Sequence, residues 1–419
     1  KKLNYPLIKR FISERMVEVC TLSVVIPAYN EENGIAEIMN RVLSIRSALQ
    51  NVGVDELELL VVDDGSKDKT AVIAREIARN DNNVIVITHE VNKGYGGALK
   101  TGFSKAKGEL IGFLDADGTY PPEYFPLLCQ QALNGADLVI GSRMAGEQSQ
   151  MPATRRVGNL FFAGLLTMLG WQKITDSASG MRVVKRNILS QIYPLPNGLN
   201  LTPVMSTRAV HEGIRMCEVP IPYSERIGRS KLSVVRDGLL FLQSMVWTVM
   251  AYNPVRVLGI MGLAGIFVAL FVVFGLIIAR ISGITTIGPW GVAALFAGMV
   301  SGVTGVALFA LGATSNYLVS LFYKKNIRQG LFGKPIFKKP LESRFGLLGS
   351  IILFSGLILS IVSLSLGISG WEIERLWLYL LGSAMMILTG VQLILYWSLM
   401  RVLEDLSQRE LLINKDLIG

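Results

Sequence analysis

Four stretches in the second part of this 419-residue chain carry no charged residue: Val257–Ala279, Trp290–Tyr323, Phe345–Trp371 and Leu376–Met400. Each exceeds the roughly 20 residues that a helix needs to cross about 30 Å of hydrocarbon. Backbone inside lipid must satisfy its own hydrogen bonds, so these stretches are expected to be transmembrane helices paired into two hairpins. Hydrophobic residues make up 51% of the chain and charged residues 17%, which excludes a disordered or collagen-like protein. After Pro254 only 13 Lys/Arg and 7 Asp/Glu remain, so most of the net charge of +9 belongs to the apolar part. A basic excess placed there suits an anionic lipid surface, and no nucleic-acid partner is expected.

The linker between the second and third stretches holds Lys324, Lys325, Arg328, Lys334, Lys338, Lys339 and Arg344, whereas the other two linkers hold one basic residue each. The positive-inside rule therefore places this linker, the N-terminal part and the C-terminus on the cytoplasmic side. Lys1–Cys20 has no uninterrupted apolar run and is not expected to be a signal peptide. Cys20, Cys129 and Cys217 show no CxxC spacing, so neither a disulfide framework nor a zinc site is expected, and a reducing compartment suits the soluble part. Between the soluble part and the first span, Val235, Leu239, Leu242, Val246 and Val249 recur at helical spacing with Arg236, Asp237 and Gln243 interleaved. This predicts an amphipathic helix lying in the membrane interface.

The first 145 residues contain five short apolar runs: Leu22–Pro27, Leu57–Val62, Val84–Thr88, Leu110–Leu114 and Asp137–Ile140. Helical stretches at Ile35–Leu49, Lys69–Arg79 and Gly97–Ala106 separate the first four. Strands alternating with helices predict an α/β fold, a mostly parallel sheet with helices on both faces. Ligands of such sheets bind beyond the carboxyl ends of the strands. There the sequence places Pro27-Ala28-Tyr29-Asn30-Glu31, Asp63-Asp64-Gly65-Ser66, His89-Glu90, Asp115-Ala116-Asp117 and Gly141-Ser142-Arg143 in turn. Turn chemistry alone accounts for one or two of these polar clusters, and five in succession mark a site.

Asp115 and Asp117 at a strand end can face one cation, and Mg²⁺ or Mn²⁺ prefers such oxygen ligands together with phosphate oxygens and water. That chemistry suits displacement of a nucleoside diphosphate from a sugar, with the cation at Asp117 taking up charge on the leaving group. Lys93, in Asn92-Lys93-Gly94-Tyr95-Gly96-Gly97, is a second candidate charge for the diphosphate. The glycine run follows the third strand and lacks the third Gly/Ala of the dinucleotide fingerprint, which disfavours a Rossmann dehydrogenase. His89 and His211 share no motif and are not expected to bind metal. Gly298, Gly302 and Gly305 are expected to serve helix packing.

Taken in order, Val25–Glu31, Val62–Ser66, Asp115–Asp117, Gly141–Arg143 and Arg226-Ile227-Gly228-Arg229-Ser230-Lys231-Leu232 resemble the family 2 glycosyltransferases. Within that family the chain is most similar to the dolichol-phosphate mannose synthase-like polyprenyl-phosphate glycosyltransferases, over about Leu22 to Tyr323. The resemblance implies a GT-A-type fold with a catalytic domain over 21–231, preceded by an N-terminal segment, 1–20. A juxtamembrane helix over 232–253, hairpins over 254–323 and 345–400, a basic linker over 324–344 and a tail over 401–419 follow. It implies that Pro27, Tyr29, Glu31, Val62 and Asp64 contact the nucleoside, and that Asp115, Ala116 and Asp117 hold ribose, diphosphate and metal. Thr119 occupies a position where relatives often carry a metal-binding Gln or Ser. Arg143 would contact the acceptor phosphate, with Arg156 chosen over its neighbour Arg155, and Arg226, Ser230 and Lys231 would close over both phosphates.

The implied reaction transfers one hexose from a UDP- or GDP-sugar to a polyprenyl phosphate at the cytoplasmic face, by one inverting displacement. A lipid phosphate is already an anionic nucleophile, so no base is required; Asp176 is the runner-up as a base, and orienting a neighbour is its expected role. A processive polysaccharide synthase is the competing enzyme reading, but no tryptophan sits in the Gln-x-x-Arg-Trp motif of such enzymes. A lipid-linked sugar flippase is the competing non-enzyme reading. The second hairpin is left with three roles to choose among: homo-oligomerisation, acceptor positioning and transport.

Overall fold

The computed structural model describes residues 19–144, 151–170, 174–224, 234–284, 288–322, 330–331, 341–371 and 373–413. Most of the N-terminal segment and of the basic linker lie outside these residues. The chain divides into two units, Lys1–Thr248 and Val249–Gly419.

The first unit is built on seven strands: β1 (Thr21–Ala28), β2 (Glu56–Asp63), β3 (Val84–Thr88), β4 (Leu110–Phe113), β5 (Leu138–Ser142), β6 (Arg182–Lys185) and β7 (Met216–Pro220). Its helices are α1 (Ile35–Ser44), α2 (Arg46–Gln50), α3 (Thr70–Ala78), α4 (Tyr95–Lys105), α5 (Phe125–Leu133), α6 (Ala153–Gly170), α7 (Leu201–Glu212) and, up to Thr248, most of α8 (Val234–Tyr252). The strands form one sheet in the order β3-β2-β1-β4-β6-β5-β7. All neighbouring pairs are parallel except β4–β6 and β5–β6. The apolar runs become central strands because both faces are covered. Leu22, Val24 and Ile26 pack with Ile35, Ile38 and Met39 of α1 and Phe125 of α5 on one side. Val25, Leu60 and Val62 pack with Ala98 and Leu99 of α4 and Leu201 and Met205 of α7 on the other.

Register determines which residues meet. Ala28 pairs with Asp63, and Asp63 with Thr88, so β1, β2 and β3 end at one edge. The single antiparallel strand, β6, begins at that edge, where Arg182 lies opposite both Phe113 and Ile140. Residues 174–181 leading into β6 therefore fall beside the carboxyl ends of β4 and β5. Strands β6 and β7 escape the sequence pattern because RVVK is four residues long with charge at both ends and MCEVP is interrupted by Glu218.

The second unit holds α9 (Pro254–Ile281), α10 (Pro289–Phe322), α11 (Phe345–Ile368) and α12 (Ile373–Ile413). Each contains a segment long and apolar enough to cross a membrane, by length and composition. Backbone approaches backbone at paired glycines: a Cβ on Gly262 would lie 2.6 Å from the Gly305 carbonyl oxygen, and one on Gly349 would lie 2.8 Å from that of Gly390. Gly298 and Gly302 likewise abut Val272 and Ala269, so these glycines serve close helix packing. Val255, Ala310, Ala313, Phe345 and Leu393 form an apolar cluster shared by all four helices.

These contacts give a paired expectation. Gly262→Val should destabilise the folded protein by about 1–3 kcal/mol through overpacking, whereas Gly275→Val, whose Cβ would meet nothing within 4 Å, should be tolerated. Melting temperatures in detergent check this, and equal melting of the two variants would contradict it.

Candidate active site

A cavity of about 600 Å³ opens at the carboxyl edge of the sheet, within the first unit. Pro27, Tyr29, Glu31, Asp64 and Asn92 line one part of it, Asp115, Ala116 and Asp117 another, and Tyr120, Arg143, Arg155 and Tyr223 a third. Phe162 of α6 and Leu240 and Phe241 of α8 add an apolar wall.

Two loops stapled together build the first part. The Glu31 amide donates to Thr70 Oγ1 at 2.8 Å, and the Lys67 amide donates to Asn30 Oδ1 at 2.8 Å. Asn30 adopts φ +52°, a left-handed conformation that Asn tolerates better than most residues. Asp64 is buried and acts as a hub: its carboxylate accepts from the Lys93 and Gly94 amides, both at 2.8 Å, and meets His89 Nδ1 at 2.7 Å. Gly94 follows with φ +86°, and a Cβ there would sit 2.6 Å from the Asn197 carbonyl oxygen. The glycine run thus permits close approach of two backbone segments.

The carboxylates come next. Tyr95 at the start of α4 donates its hydroxyl to Asp115 Oδ1 at 2.9 Å, and burial pushes its phenol well up, so the proton stays on the donor. Gly180 is required behind Asp115, because a Cβ would stand 2.8 Å from the carboxylate. Asp117 Oδ1 accepts from the Thr119 amide at 3.1 Å and from its hydroxyl at 2.6 Å. Asp115 and Asp117 are hard oxygen donors at the cavity wall and fit a divalent cation that completes its shell with phosphate and water. Among the described residues no group of three or more His, Cys, Asp or Glu could hold an ion without such help.

At the third part, Asp176 grips Arg143 bidentately, with Nε and Nη2 donating at 2.8 and 2.7 Å and the Arg143 amide adding a third bond at 2.9 Å. Burial alone would raise the Asp176 pKa, but the Arg143 guanidinium outweighs it and holds the carboxyl below its usual range. Burial opposes the charge on Arg143 as well, yet Asp176 keeps its pKa well above ordinary. The guanidinium also stacks near Tyr120 and Tyr223, with centroids 5.9 and 5.4 Å away. Glu218 of β7 anchors the partner loop by accepting from the Thr175 and Asp176 amides, both at 2.9 Å. Arg182 lies fully buried behind the site, donating to the Ser177 and Ser179 carbonyls and to Ser206 Oγ, and burial lowers its pKa to about 10.

Pro27, Tyr29, Glu31, Asp64, Asp115, Ala116, Asp117 and Arg143 all line the one cavity. Five other residues are placed differently. Val62 is fully buried in the core against α4 and does not line the cavity. Lys93 contributes its backbone to Asp64 while its side chain is exposed and away from the lining. Thr119 is buried behind Asp117 with its hydroxyl committed to that carboxylate. On α6 it is Arg155 that lines the cavity, and Arg156 is exposed. Asp176, the runner-up base, is fully buried and does not line the cavity. Arg226, Ser230 and Lys231 lie outside the described residues. Tyr95, Tyr120, Tyr223 and Glu218 have no role assigned from the sequence, where only Tyr95 lies inside a quoted motif, and Arg155 enters there as the alternative to Arg156.

The model of the family described as glycosyl transferase family 2 matches residues 23–193. A dolichyl-phosphate hexose transferase of Haloferax volcanii is 31% identical over 225 residues, 54% of this chain and 92% of the relative. An undecaprenyl-phosphate 4-deoxy-4-formamido-L-arabinose transferase of Pseudomonas aeruginosa is 31% identical over 323 residues, 74% of this chain and 88% of the relative. The chain belongs to glycosyltransferase family 2. The transferase also matches, over residues 254–414, a family described as a domain of unknown function (DUF8752). Among solved structures, glucosyl-3-phosphoglycerate synthase from Mycobacterium tuberculosis, crystallised with Mn²⁺, UDP and phosphoglyceric acid, aligns at 21% identity and TM-score 0.43, covering 55% of the transferase and 78% of that chain.

Removing the Asp176 charge should be costly, since it leaves a buried guanidinium without its counter-ion. Asp176→Asn is expected to lower stability by about 3–5 kcal/mol at neutral pH. A carboxyl with a depressed pKa stabilises above its unfolded value and loses that contribution as pH falls through its folded value. The gap between wild type and variant should therefore narrow only below the ordinary Asp value of 3.8. Denaturant unfolding across pH checks this, and a gap that is already closed at pH 7 would contradict it.

Proposed function

We propose that the transferase moves a single hexose from a UDP- or GDP-sugar to a polyprenyl phosphate at the cytoplasmic membrane face, with inversion. The observation that carries this reading is the placement of Asp115 and Asp117 in the same cavity as Arg143 and Arg155. A leaving diphosphate and an incoming phosphate are both anions, and bringing them together is the main electrostatic difficulty of such a transfer. Carboxylates suit a cation-bound diphosphate, while a guanidinium fork binds a phosphate bidentately and stays charged. The names of the two relatives, a dolichyl-phosphate and an undecaprenyl-phosphate sugar transferase, support a lipid phosphate as acceptor.

In this reading Pro27, Tyr29 and Glu31 seat the nucleoside, and Asp115, steadied by Tyr95, holds ribose and diphosphate. Mg²⁺ or Mn²⁺ held by Asp115 and Asp117 would neutralise charge on the departing nucleoside diphosphate. Arg143 orients the lipid phosphate so that one oxygen attacks the anomeric carbon opposite the diphosphate; the new C–O bond forms as the bond to the diphosphate breaks. Asp176 moves no proton, since its carboxylate is spent on holding Arg143. Arg226, Ser230 and Lys231 would close over the two phosphates.

Membrane delivery of the acceptor is supported by two helices of the catalytic unit. On α6, Val157, Leu160 and Phe161 are 53–67% exposed, and on α8, Val235, Leu239 and Trp247 are 61–73% exposed. Neighbouring residues of both helices face inward, with Phe162 against Phe241 at 6.0 Å and Met245 in a small core with Leu166. A helix with one face on its own domain and apolar residues on the other suits a lipid surface.

The direct test is a panel of UDP- and GDP-hexoses with a short polyprenyl phosphate, reading out the lipid product. A hexosyl phosphate lipid of inverted anomeric configuration is expected, and no lipid product from any donor would contradict the reading. Asp117→Ala or chelation of divalent cations should lower transfer by about a hundredfold or more with the fold intact. Full activity after chelation would refute the metal role. Arg143→Lys keeps the charge but loses the fork, and should raise the acceptor KM by about tenfold while the donor KM stays within about twofold. Equal shifts in both would argue against the assignment.

A further inference from the structure

His89, at the end of β3, has no role in the transfer described above, yet it is 6% exposed and bonded on both ring nitrogens. Nδ1 lies 2.7 Å from Asp64 Oδ1, and Nε2 lies 3.0 Å from Thr101 Oγ1 on α4. A carboxylate only accepts, so the hydrogen between His89 and Asp64 belongs to Nδ1. The Thr101 hydroxyl is also 3.1 Å from the Gly97 carbonyl oxygen. It can serve Nε2 or that carbonyl, and neither choice disturbs the bond to Asp64.

Asp64 carries this constraint onward. Its carboxylate also accepts from the Lys93 and Gly94 amides, and Asn92 Nδ2 donates to its backbone carbonyl at 3.1 Å. These bonds fix the turn from which α4 begins. The first residue of α4 is Tyr95, whose hydroxyl holds Asp115. One continuous series of bonds thus runs from Thr101 through His89, Asp64 and the 92–94 turn to Tyr95 and the first carboxylate of the couplet. We propose that His89 is a positioning residue of the donor site: by donating from Nδ1 it fixes Asp64, and through the glycine turn it sets both the nucleoside wall and the carboxylate that faces the diphosphate. This inference rests on the donor-site assignment made above.

Asn and Gln at this position separate the two ring nitrogens. Asn places its amide nitrogen near the site of Nδ1, whereas Gln places it near that of Nε2. In detergent-solubilised full-length protein, His89→Asn should bind UDP or GDP, whichever the wild type binds, within about threefold of wild type. His89→Gln should bind it about tenfold more weakly, the loss expected for one hydrogen bond to a charged group. In transfer assays His89→Gln should raise the donor KM by a similar factor, with kcat and the acceptor KM within about twofold. Equal binding by the two variants, or a shift of the acceptor KM as large as that of the donor, would overturn the inference. Nucleotide binding without transfer by the wild type would refute the proposed reaction and leave the comparison of Asn with Gln as the test of His89. A wild type that binds neither nucleotide would overturn both.

Discussion

Arg143 is fixed from three sides, and the rest of the candidate active site takes its form from that. Asp176 grips the guanidinium side-on through Nε and Nη2, Tyr120 and Tyr223 flank it, and the Arg143 amide is bonded to the same carboxylate. A buried cation of this kind persists only when its partner is held as firmly as itself. Glu218 does that for residues 175 and 176, and the antiparallel β6 delivers the 174–181 loop to the edge where the parallel strands end. The sheet topology, one reversed strand in an otherwise mostly parallel sheet, is what brings an acid from the loop before β6 to a base from the end of β5.

The opposite side of the cavity is organised by the same economy with the signs exchanged. There a buried carboxylate, Asp64, is surrounded by donors, two amides and a histidine. Its charge is consumed in shaping the wall, while Asp115 and Asp117 are presented to the cavity. Negative and positive groups therefore occupy separate stretches of one lining. Such a separation suits a ligand pair consisting of a cation-bound diphosphate and a second phosphate better than it suits a neutral sugar alone.

Much of this was legible in the sequence, for identifiable reasons. LSVVI and LLVV announce strands covered on both faces, and the uncharged stretches after Pro254 announce membrane helices because nothing else is so long and so apolar. Asp115 and Asp117 could be found because they directly follow a strand. The pairing of Arg143 with Asp176 could not, because the two lie 33 residues apart and meet only through β6, a four-residue strand with charge at both ends. Arg155 and Arg156 are equivalent in any local pattern; a helix turns them about 100° apart, and only packing decides which one faces the cavity. His89 offered no motif, since its partners arrive from β2 and α4. Lys93 and Thr119 differ in the opposite way. Both occupy positions where a functional side chain is expected, yet what Lys93 supplies is its backbone amide, and the Thr119 hydroxyl is spent on a neighbour.

The central claim is that two phosphates are held at once in this cavity, one near the carboxylate couplet and the other at Arg143. An experimental structure of the full-length protein with a nucleoside diphosphate, a divalent cation and a short polyprenyl phosphate bound together measures this directly. The account predicts the diphosphate beside Asp115 and Asp117 and the lipid phosphate within hydrogen-bond reach of the Arg143 guanidinium. A lipid phosphate bound elsewhere, with Arg143 touching only Asp176, would contradict it.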